Sequence, residues 1–342
     1  MKITTVGIDL AKNVFQVHGV DERGKVVLRK QLKRDQMMSF FANLPSCRIG
    51  MEACGSAHYW ANKLQGLGHT TKLMAPQFVK PYVKTNKNDA ADAEAICEAV
   101  GRPNMRFVPI KNSEQQAVLA LHRARQGFVK TRTALANQIR GLLAEFGIII
   151  PQGIGHIAKR LPDILEDGEN GLPGTFRQLM ERLGDHLKEI DRQVQELEVQ
   201  IQTWHRESTA SQKLAQIPGI GPITASALVA SIGKADNFEN GRQLAAWLGL
   251  VPRQNSSGGK QTLLGISKRG DVYLRTLLIH GARAVIRVAE RKAQHAGSWL
   301  AGVMGRRNQN VAAVALANKN ARIVWALLAH DREYAADHAM AS

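Results

Sequence analysis

Apolar and polar positions in the first 110 residues follow the periods of strands and short helices. Three β-type runs, ITTVGIDL, FQVHGV and KVVLRKQL, fall within residues 3–32. RIGMEA and TTKLMAP indicate two more strands, which follow helical segments at 35–43 and 57–67. A helix is predicted over 89–100, with MRFVPI as a further edge strand. Strands that interleave with helices predict a mixed α/β sheet with helices packed on it.

Helical periodicity dominates the middle of the chain. An arginine-rich helix is predicted over 112–146, and a break rich in Gly and Pro follows at 150–174. The next helix carries apolar residues at alternating steps of four and three from Phe176 to Trp204, which is the a/d spacing of a coiled coil. Two arrangements fit equally: an antiparallel hairpin with the preceding helix, or a seam between two copies of the chain.

The last third is predicted to be mostly α-helical. IPGIGPITASALVASIG resembles a helix-hairpin-helix, in which Gly219 and Gly221 form a tight turn whose backbone N–H groups can hold a DNA phosphate. A plain packing turn is the alternative. A polar loop rich in Gly and Ser follows, flanked by helices. We therefore predict three parts, at residues 1–110, 111–208 and 209–342.

The net charge of the chain indicates what kind of molecule it binds. The chain has 46 Lys and Arg against 29 Asp and Glu, a net charge of +17, and its last 102 residues carry 15 of those cations and 5 of those acids. Such an excess favours nucleic acid as a partner, because each neutralised phosphate releases counterions. No apolar run approaches the roughly 20 residues that span a bilayer. The three cysteines lack zinc spacing. We therefore expect a reduced, cytoplasmic protein without a membrane partner.

Four acids stand where a metal site is built in mixed α/β proteins. Asp9 lies at the end of the first predicted strand, and Glu52 at the end of the fourth. Asp89 and Asp92 are three residues apart, so on a helix they share one face. Each feature alone is common as a turn or a solvated helix face. Together they predict convergent carboxylates, whose mutual repulsion divalent cations would neutralise. Two metal ions about 4 Å apart would clamp the attacking and leaving oxygens of a phosphodiester.

Four motifs occur in an order that resembles a known family. They are GIDLAKNVFQVHGVD, GMEACGSAHYWA, KTNKNDAADAEAI and GLVPRQNSSGGKQTLLGISKRGDVYLR. They are similar to the DEDD-type insertion-sequence transposases, the bridge-RNA-guided recombinases related to the Piv DNA invertases. With RTALANQIRGLLAEFG in the linking helices, the likeness spans nearly the whole chain. The family motif KTDxxDA reads KNDAADA here, so Asn88 replaces Thr and no carboxylate is lost.

The resemblance implies a specific chemistry. It implies a RuvC-like, RNase H-like first domain in which Asp9, Glu52, Asp89 and Asp92 bind Mg²⁺, with two ions expected. It also implies a serine nucleophile that precedes a Gly, five residues after the Pro of the GLxP motif. That position is Ser257, with Ser256 directly beside it. The implied reaction passes through a phosphoserine–DNA intermediate, with acids and serine from opposite ends of the chain serving one composite site.

The resemblance also implies partners: the double-stranded DNA of the element ends and target, and a noncoding guide RNA encoded by the element. Two-ended DNA chemistry favours a homodimer or homotetramer. The basic positions that suit phosphate contact are Lys260, Lys268, Arg269, Arg275, Arg283 and Arg287. Two other functions use the same residues. A hydrolytic RuvC-like nuclease or Holliday-junction resolvase would use water in place of the serine, and a nucleic-acid scaffold would need only the basic residues.

Overall fold

A computed structural model describes residues 2–84, 88–291 and 299–335 of the 342-residue chain. Contacts divide the chain into two units, Met1–Gln116 and Ala117–Ser342. The KTNKNDAADAEAI motif falls partly on residues 85–87, which lie outside the described residues. The three-part division expected from the sequence stays a prediction.

The first unit is built on a six-stranded mixed sheet in the order β3-β2-β1-β4-β5-β6. The strands are β1 (Thr5–Leu10), β2 (Val14–Val20), β3 (Val26–Lys33), β4 (Arg48–Glu52), β5 (Thr70–Met74) and β6 (Phe107–Val108). Strand β1 is antiparallel to β2 and parallel to β4, and β5 is parallel to β4 and antiparallel to β6. The predicted mixed α/β sheet is therefore confirmed.

Helices cover both faces of this sheet. They are α1 (Gln36–Ala42), α2 (Ala57–Gly66), α3 (Pro76–Val79) and α4 (Asp89–Val100). Successive side chains of a strand point to opposite faces. On one face, Ile8 and Met51 pack with Trp60 of α2 in a buried core that also takes in α1. Helix α4 has a separate apolar cluster around Ile96. The sheet therefore has α1 and α2 on one side and α4 on the other.

The second unit is mostly helical, as the sequence predicts. Its helices are α5 (Ser113–Ala144, which begins in the first unit), α6 (Ile154–Glu166), α7 (Gly174–Glu207), α8 (Thr209–Ala215), α9 (Pro222–Ile232), α10 (Gly241–Trp247), α11 (Val272–Arg291), α12 (Trp299–Met304) and α13 (Gln309–His330). Two short strands, β7 (Pro252–Gln254) and β8 (Leu263–Ile266), form an antiparallel hairpin.

Helices α5 and α7 run antiparallel to each other within the chain. Arg125 donates to Glu198 at 2.5 Å. Further along α5, Arg132 pairs with Asp191, which comes earlier in α7. At the far end, the rings of Phe146 and Phe176 lie 4.2 Å apart. The seam positions of α7 that are buried pack inside the chain; these are Met180, Leu187, Ile190, Val194 and Ile201. Of these, Met180, Leu187 and Ile190 pack in one apolar cluster with Leu135, Ile139 and Leu143 of α5.

Two segments differ from the sequence expectation. The break predicted at 150–174 contains helix α6, whose Ile157 and Leu161 are buried against the α5–α7 pair despite Pro162 in its interior. Gly184 of α7 gives it room, since a Cβ there would lie 2.7 Å from Leu161. The second difference is the polar loop, part of which folds into the β7–β8 hairpin.

Helix α13 has the length and mean hydropathy of a membrane span, and in the described part of the chain no other helix does. Its apolar residues, among them Leu316, Ala317 and Val324, pack in the core formed with helices α8 to α11. A buried core helix passes the same test of length and composition, and the packing of α13 is of that kind.

Candidate functional site

The first candidate site lies at one end of the mixed sheet. Asp9 is the next-to-last residue of β1, and Glu52 is the last residue of β4. These strands are parallel neighbours, with Ile8 paired to Met51. Parallel strands end at the same edge of a sheet, so the two acids are brought to one place by the strand pairing itself.

The other two acids come from the first turn of α4. The helix begins after Asn88, whose side chain accepts a hydrogen bond from the N–H of Ala90 at 3.0 Å. An Asn in this capping position satisfies a backbone donor that the helix leaves unpaired. The following turn carries Asp89 and Asp92, where the positive end of the helix dipole favours carboxylates. The Thr-to-Asn difference in the motif thus supplies the helix cap.

Three of the four carboxylates form one cluster. Oxygens of Asp9, Asp89 and Asp92 all lie within 4.8 Å of one another. Glu52 is not a member of this group, although it is near enough to be affected by it. Burial raises the pKa of Glu52, and the charges of Asp9 and Asp92 raise it further. The structure therefore joins three of the predicted ligands closely and places the fourth beside them.

The donor set of this cluster fits a hard divalent cation. Magnesium binds carboxylate oxygens at about 2.1 Å, so two oxygens on one ion lie at most about 4.2 Å apart. The observed limit of 4.8 Å between the aspartate oxygens is close to that value. Burial is the main cause of the raised pKa of Glu52, and the like charges of Asp9 and Asp92 add to it. A cation bound among these carboxylates would offset that repulsion.

The second candidate site is the tip of the β7–β8 hairpin. Ser257 pairs with Lys260 across the turn, and the N–H of Lys260 donates to the carbonyl of Ser257 at 3.1 Å. Gly258 and Gly259 between them have φ of +54° and +78°. Positive φ at both central residues defines a type I′ turn, which Gly adopts without strain. The turn chemistry therefore explains the Ser-Gly-Gly-Lys sequence and leaves Ser257 exposed at the tip.

The neighbouring serine differs in its contacts. The hydroxyl of Ser256 accepts a hydrogen bond from the side-chain amide of Gln254 at 2.9 Å. Both serines are exposed. The backbone carbonyl of Ser257 accepts the hydrogen bond that closes the turn, whereas the side chain of Ser256 is bonded to Gln254. The two serines that the sequence leaves as alternatives therefore differ in their contacts.

The predicted basic residues divide into an exposed group and one buried member. Exposed positions are Lys260, Lys268, Arg269, Arg283 and Arg287. Arg275 is only 8% exposed, and its guanidinium donates to the carbonyls of Leu248 and Arg269, both at 3.2 Å. Phosphate contact at Arg275 stays a prediction, and its burial sets this residue apart from the exposed group. Its guanidinium is hydrogen-bonded to two backbone carbonyls, one of them in the loop that precedes α11.

The predicted helix-hairpin-helix turn lies between α8 and α9, and its two glycines differ. Gly219 has φ of +87°, and a Cβ there would lie 2.8 Å from the carbonyl oxygen of Gly281 in α11. That glycine serves close backbone packing, which is the alternative noted from the sequence. Gly221 is exposed at the N-terminus of α9, with open space where a Cβ would stand. Contact with a phosphate therefore stays a prediction for Gly221, and packing explains Gly219.

The second unit holds a buried polar network that the sequence pattern does not predict. His122 of α5 is 1% exposed; its Nδ1 lies 3.0 Å from the hydroxyl of Tyr273, and its Nε2 lies 3.1 Å from the hydroxyl of Ser226. Ser226 donates to the carbonyl of Pro222 at 2.7 Å, so it accepts from Nε2–H. In the sequence, His122 stands in a segment with helical periodicity. A single histidine in such a segment does not indicate which side chains it will bond to.

Comparison with known proteins agrees with the site geometry. A family model for DEDD transposases of the IS110 type matches residues 6–148, and a model described as the transposase IS116/IS110/IS902 family matches residues 211–296. A probable family 20 transposase of Pseudomonas aeruginosa is 55% identical over 335 residues, covering 98% of this chain and 99% of that protein. The chain belongs to the IS110/IS116/IS902 family of transposases.

Other relatives extend this assignment. The transposase for insertion sequence element IS1111A of Coxiella burnetii is 46% identical over 332 residues, 97% of this chain and 91% of that protein. A pilin gene-inverting protein of Moraxella bovis is 25% identical over 301 residues, 81% of each chain. This transposase is thus an enzyme that cuts and rejoins insertion-sequence DNA. Its family implies a divalent metal, for which the clustered carboxylates are the matching feature.

Proposed function

We propose that the first unit of this transposase has the RuvC-like form of the RNase H-like fold and holds the catalytic metal. The sheet order supports this, because an antiparallel β1-β2-β3 meander is followed by β4 and β5, which run parallel to β1. The observation that carries the proposal is the meeting of Asp9, Asp89 and Asp92 within 4.8 Å.

The residues that would hold Mg²⁺ are these three aspartates, together with Glu52. When bound, the metal supplies polarisation of the scissile phosphate and a lower pKa for a hydroxyl that it contacts. The chain's own part is to hold four carboxylates at one end of a rigid sheet. Four carboxylates provide enough oxygens for two ions with shared ligands, and two is the number we propose.

We further propose that Ser257 is the nucleophile. Its Oγ attacks the phosphorus of a DNA phosphodiester, a serine–phosphate ester forms, and the bond to one strand oxygen breaks. The serine proton leaves, and the released strand end becomes a hydroxyl. A second strand hydroxyl then attacks the serine ester and frees Ser257, so no external energy source is needed. The exposed position at a turn tip supports this role, as does the engagement of Ser256 with Gln254.

The exposed cations are proposed to contact nucleic-acid phosphates. Lys260 shares the serine turn, and Lys268 and Arg269 follow the hairpin. On α11, Arg283 and Arg287 are both exposed and four residues apart, which places them on one helix face. The DNA of the element and a noncoding guide RNA encoded beside it are the proposed partners, with the chain acting as a homodimer or homotetramer in the cytoplasm.

One experiment tests both the nucleophile and the RNA. Full-length protein is incubated with Mg²⁺, element-end DNA, and RNA transcribed from the DNA beside the gene, and covalent adducts are separated on a denaturing gel. We expect an adduct that depends on the RNA and maps to Ser257 by mass spectrometry. Ser257→Ala should lose it, whereas the matched control Ser256→Ala should keep it. Cleavage by Ser257→Ala at the normal rate would instead identify a hydrolytic nuclease or junction resolvase.

A further inference from the structure

A cavity of about 640 Å³ lies in the first unit, bordered by the β1–β2 turn, the end of β3 and the first turns of α2. Residues that line it include Asn13, Lys33, Arg34, Tyr59 and Trp60. Pockets for small ligands have volumes of about 300 to 1,000 Å³. The cavity is therefore large enough for a nucleoside with its phosphate.

The cavity lies at the same end of the sheet as the carboxylates. Its helical lining, Met38 of α1 with Tyr59 and Trp60 of α2, belongs to the sheet face opposite Asp9 and Glu52. Strand β1 ends directly after Asp9, and Asn13 follows in the turn. Val14 at the start of β2 pairs with Lys33 at the end of β3. Helix α2, which carries Tyr59, begins shortly after Glu52. A nucleic-acid strand that reaches both the acids and this cavity would therefore pass around this end of the sheet.

Aromatic rings and a guanidinium form part of its wall. Tyr59 is 45% exposed, and its ring stands edge-on to Trp60 with centroids 5.1 Å apart. The guanidinium of Arg34 lies 5.2 Å from the centre of the Trp60 ring, and it is held by a hydrogen bond to the carbonyl of Lys12 at 3.1 Å. Tyr59 is thus exposed and supported at its edge, and the Lys63 ammonium lies 5.8 Å from its ring centre, so a base would stack on the face turned away from Lys63.

Charge at the cavity favours a phosphate. Lys33 and Arg34 are exposed in its lining, against one acid, Asp35. Lysines on an edge strand such as β3 also prevent edge-to-edge aggregation. Preventing aggregation does not require an exposed aromatic ring in a cavity beside the lysines, so it does not explain Tyr59. Aromatic stacking surfaces together with a positive groove are the combination that binds unpaired nucleotides.

We propose that this cavity holds one unpaired nucleotide of a nucleic-acid strand, with its base stacked on Tyr59 and its phosphate at Lys33 and Arg34. The inference rests on the proposed function, since a strand that is cut and rejoined has unpaired positions beside the reacting phosphate. An unpaired base with its phosphate is common to DNA and RNA, and the experiment separates the two sources.

Binding is tested with full-length protein in EDTA, so that nothing is cut. Fluorescein-labelled dT and U decamers, each with one photoreactive 5-iodopyrimidine, are titrated by anisotropy and then crosslinked. The variants are Tyr59→Ala and the conservative Tyr59→Phe. Phe107→Ala is the matched control, because Phe107 is 38% exposed, lies 5.1 Å from the Lys72 ammonium and belongs to β6 at the opposite sheet edge from β3.

We expect Tyr59→Ala to weaken binding by roughly 5- to 100-fold, the size of one lost base–aromatic stack. Tyr59→Phe and Phe107→Ala should bind as the wild type does, and the crosslink should map to the peptide containing Tyr59. Tighter binding of dT assigns the site to DNA, and tighter binding of U assigns it to RNA. Unchanged affinity in Tyr59→Ala, or crosslinks only elsewhere, overturns the cavity proposal, while the Ser257 adduct decides the proposed function separately.

Discussion

Gly7 of β1 and Gly50 of β4 are register partners in the sheet, and α4 lies against both of them. A Cβ at Gly7 would stand 2.3 Å from the carbonyl oxygen of Ala93, and one at Gly50 would stand 2.7 Å from Cβ of Val100. Real side chains do not approach so closely. The paired glycines therefore form the surface on which α4 rests.

This pairing determines where the acids meet. Each glycine precedes an acid by two residues, in GID and GME, and alternate residues of a strand share a face. The face that admits α4 is consequently the face of Asp9 and Glu52. Since α4 starts with Asp89 and Asp92, close packing of the helix on the glycines delivers its first turn to the strand acids.

Gly7→Ala should therefore damage both the fold and the metal site. Its new methyl group would meet backbone atoms of α4, which cannot rotate away, so we expect a loss of about 1–3 kcal/mol in the free energy of unfolding. A shift of α4 would also separate its acids from Asp9. Thermal unfolding with and without Mg²⁺ measures both effects. Gly50→Ala should be milder, because its obstacle is the side chain of Val100.

Gly66→Ala is the control for this series, since it adds the same methyl group at the end of α2, where nothing lies within 4 Å. It should unfold at or above the wild-type temperature. If Gly7→Ala behaved like Gly66→Ala, close packing at Gly7 would not be what positions α4.

The sequence was sufficient for the sheet because its signals are local. Alternation and apolar runs mark β1 to β5, and the spacing of Asp89 and Asp92 marks one helix face. The contact that gathers the acids is not local, since it depends on Gly7 meeting Gly50 across two strands. The G-x-acid repeat was visible in the sequence. Its meaning depends on strand register, which a single sequence does not give.

In the second unit, some structure depends on tertiary packing that the local sequence pattern does not predict. Helix α6 forms around Pro162 because Ile157 and Leu161 are buried against α5 and α7. The β7–β8 hairpin has strands too short and exposed for the apolar pattern to predict them, although Gly258 and Gly259 are a type I′ signature. Arg275 looked like its basic neighbours until burial distinguished it. Charge patterns identify cations, and only packing shows which of them face solvent.

Metal binding should stabilise the protein through the carboxylate cluster. A ligand that binds only the folded state at about a hundred times its Kd adds about 2.7 kcal/mol of stability. We therefore expect millimolar Mg²⁺ to raise the unfolding temperature of the wild type and to leave that of Asp9→Asn unchanged.

Glu94→Gln is the matched control, because Glu94 lies on α4 but faces Arg29 and Lys84 rather than the cluster. It should keep the full Mg²⁺ shift. An equal shift in Asp9→Asn and the wild type would place the metal somewhere other than the clustered aspartates.

Arg275 and Arg287 should separate stability from nucleic-acid binding, although both are arginines of α11. Arg275→Ala removes donors from two backbone carbonyls, so we expect a loss of roughly 1–3 kcal/mol in unfolding free energy. Arg287→Ala should leave stability unchanged, weaken DNA binding, and lower the slope of log affinity against log salt by about 1. Urea unfolding and salt-dependent anisotropy measure the pair. A loss of stability in Arg287→Ala, with a loss of DNA binding alone in Arg275→Ala, would contradict roles assigned from the burial of the two side chains.

His122 should make the second unit sensitive to mild acid. Burial, and secondarily the charge of Arg125, lower the pKa of His122 from 6.5 to about 4. The groups around it are the hydroxyls of Tyr273 and Ser226, and the guanidinium of Arg125, which is itself paired with Glu198. Because Nδ1 accepts from Tyr273, a proton there would break the network as well as add a buried charge.

The sign of the effect follows from the two pKa values. Between pH 6.5 and about 4 the unfolded chain protonates His122 while the folded chain does not, so stability falls as the pH falls through this window, by about 3 kcal/mol in total. Urea unfolding at steps from pH 7.5 to 5 should show roughly 2 kcal/mol of that decline. His122→Gln should start lower, having lost a buried partner for Tyr273, but decline less. His280→Gln, at an exposed position of α11, should follow the wild type. Parallel curves for wild type and His122→Gln would mean that another group governs the acid response.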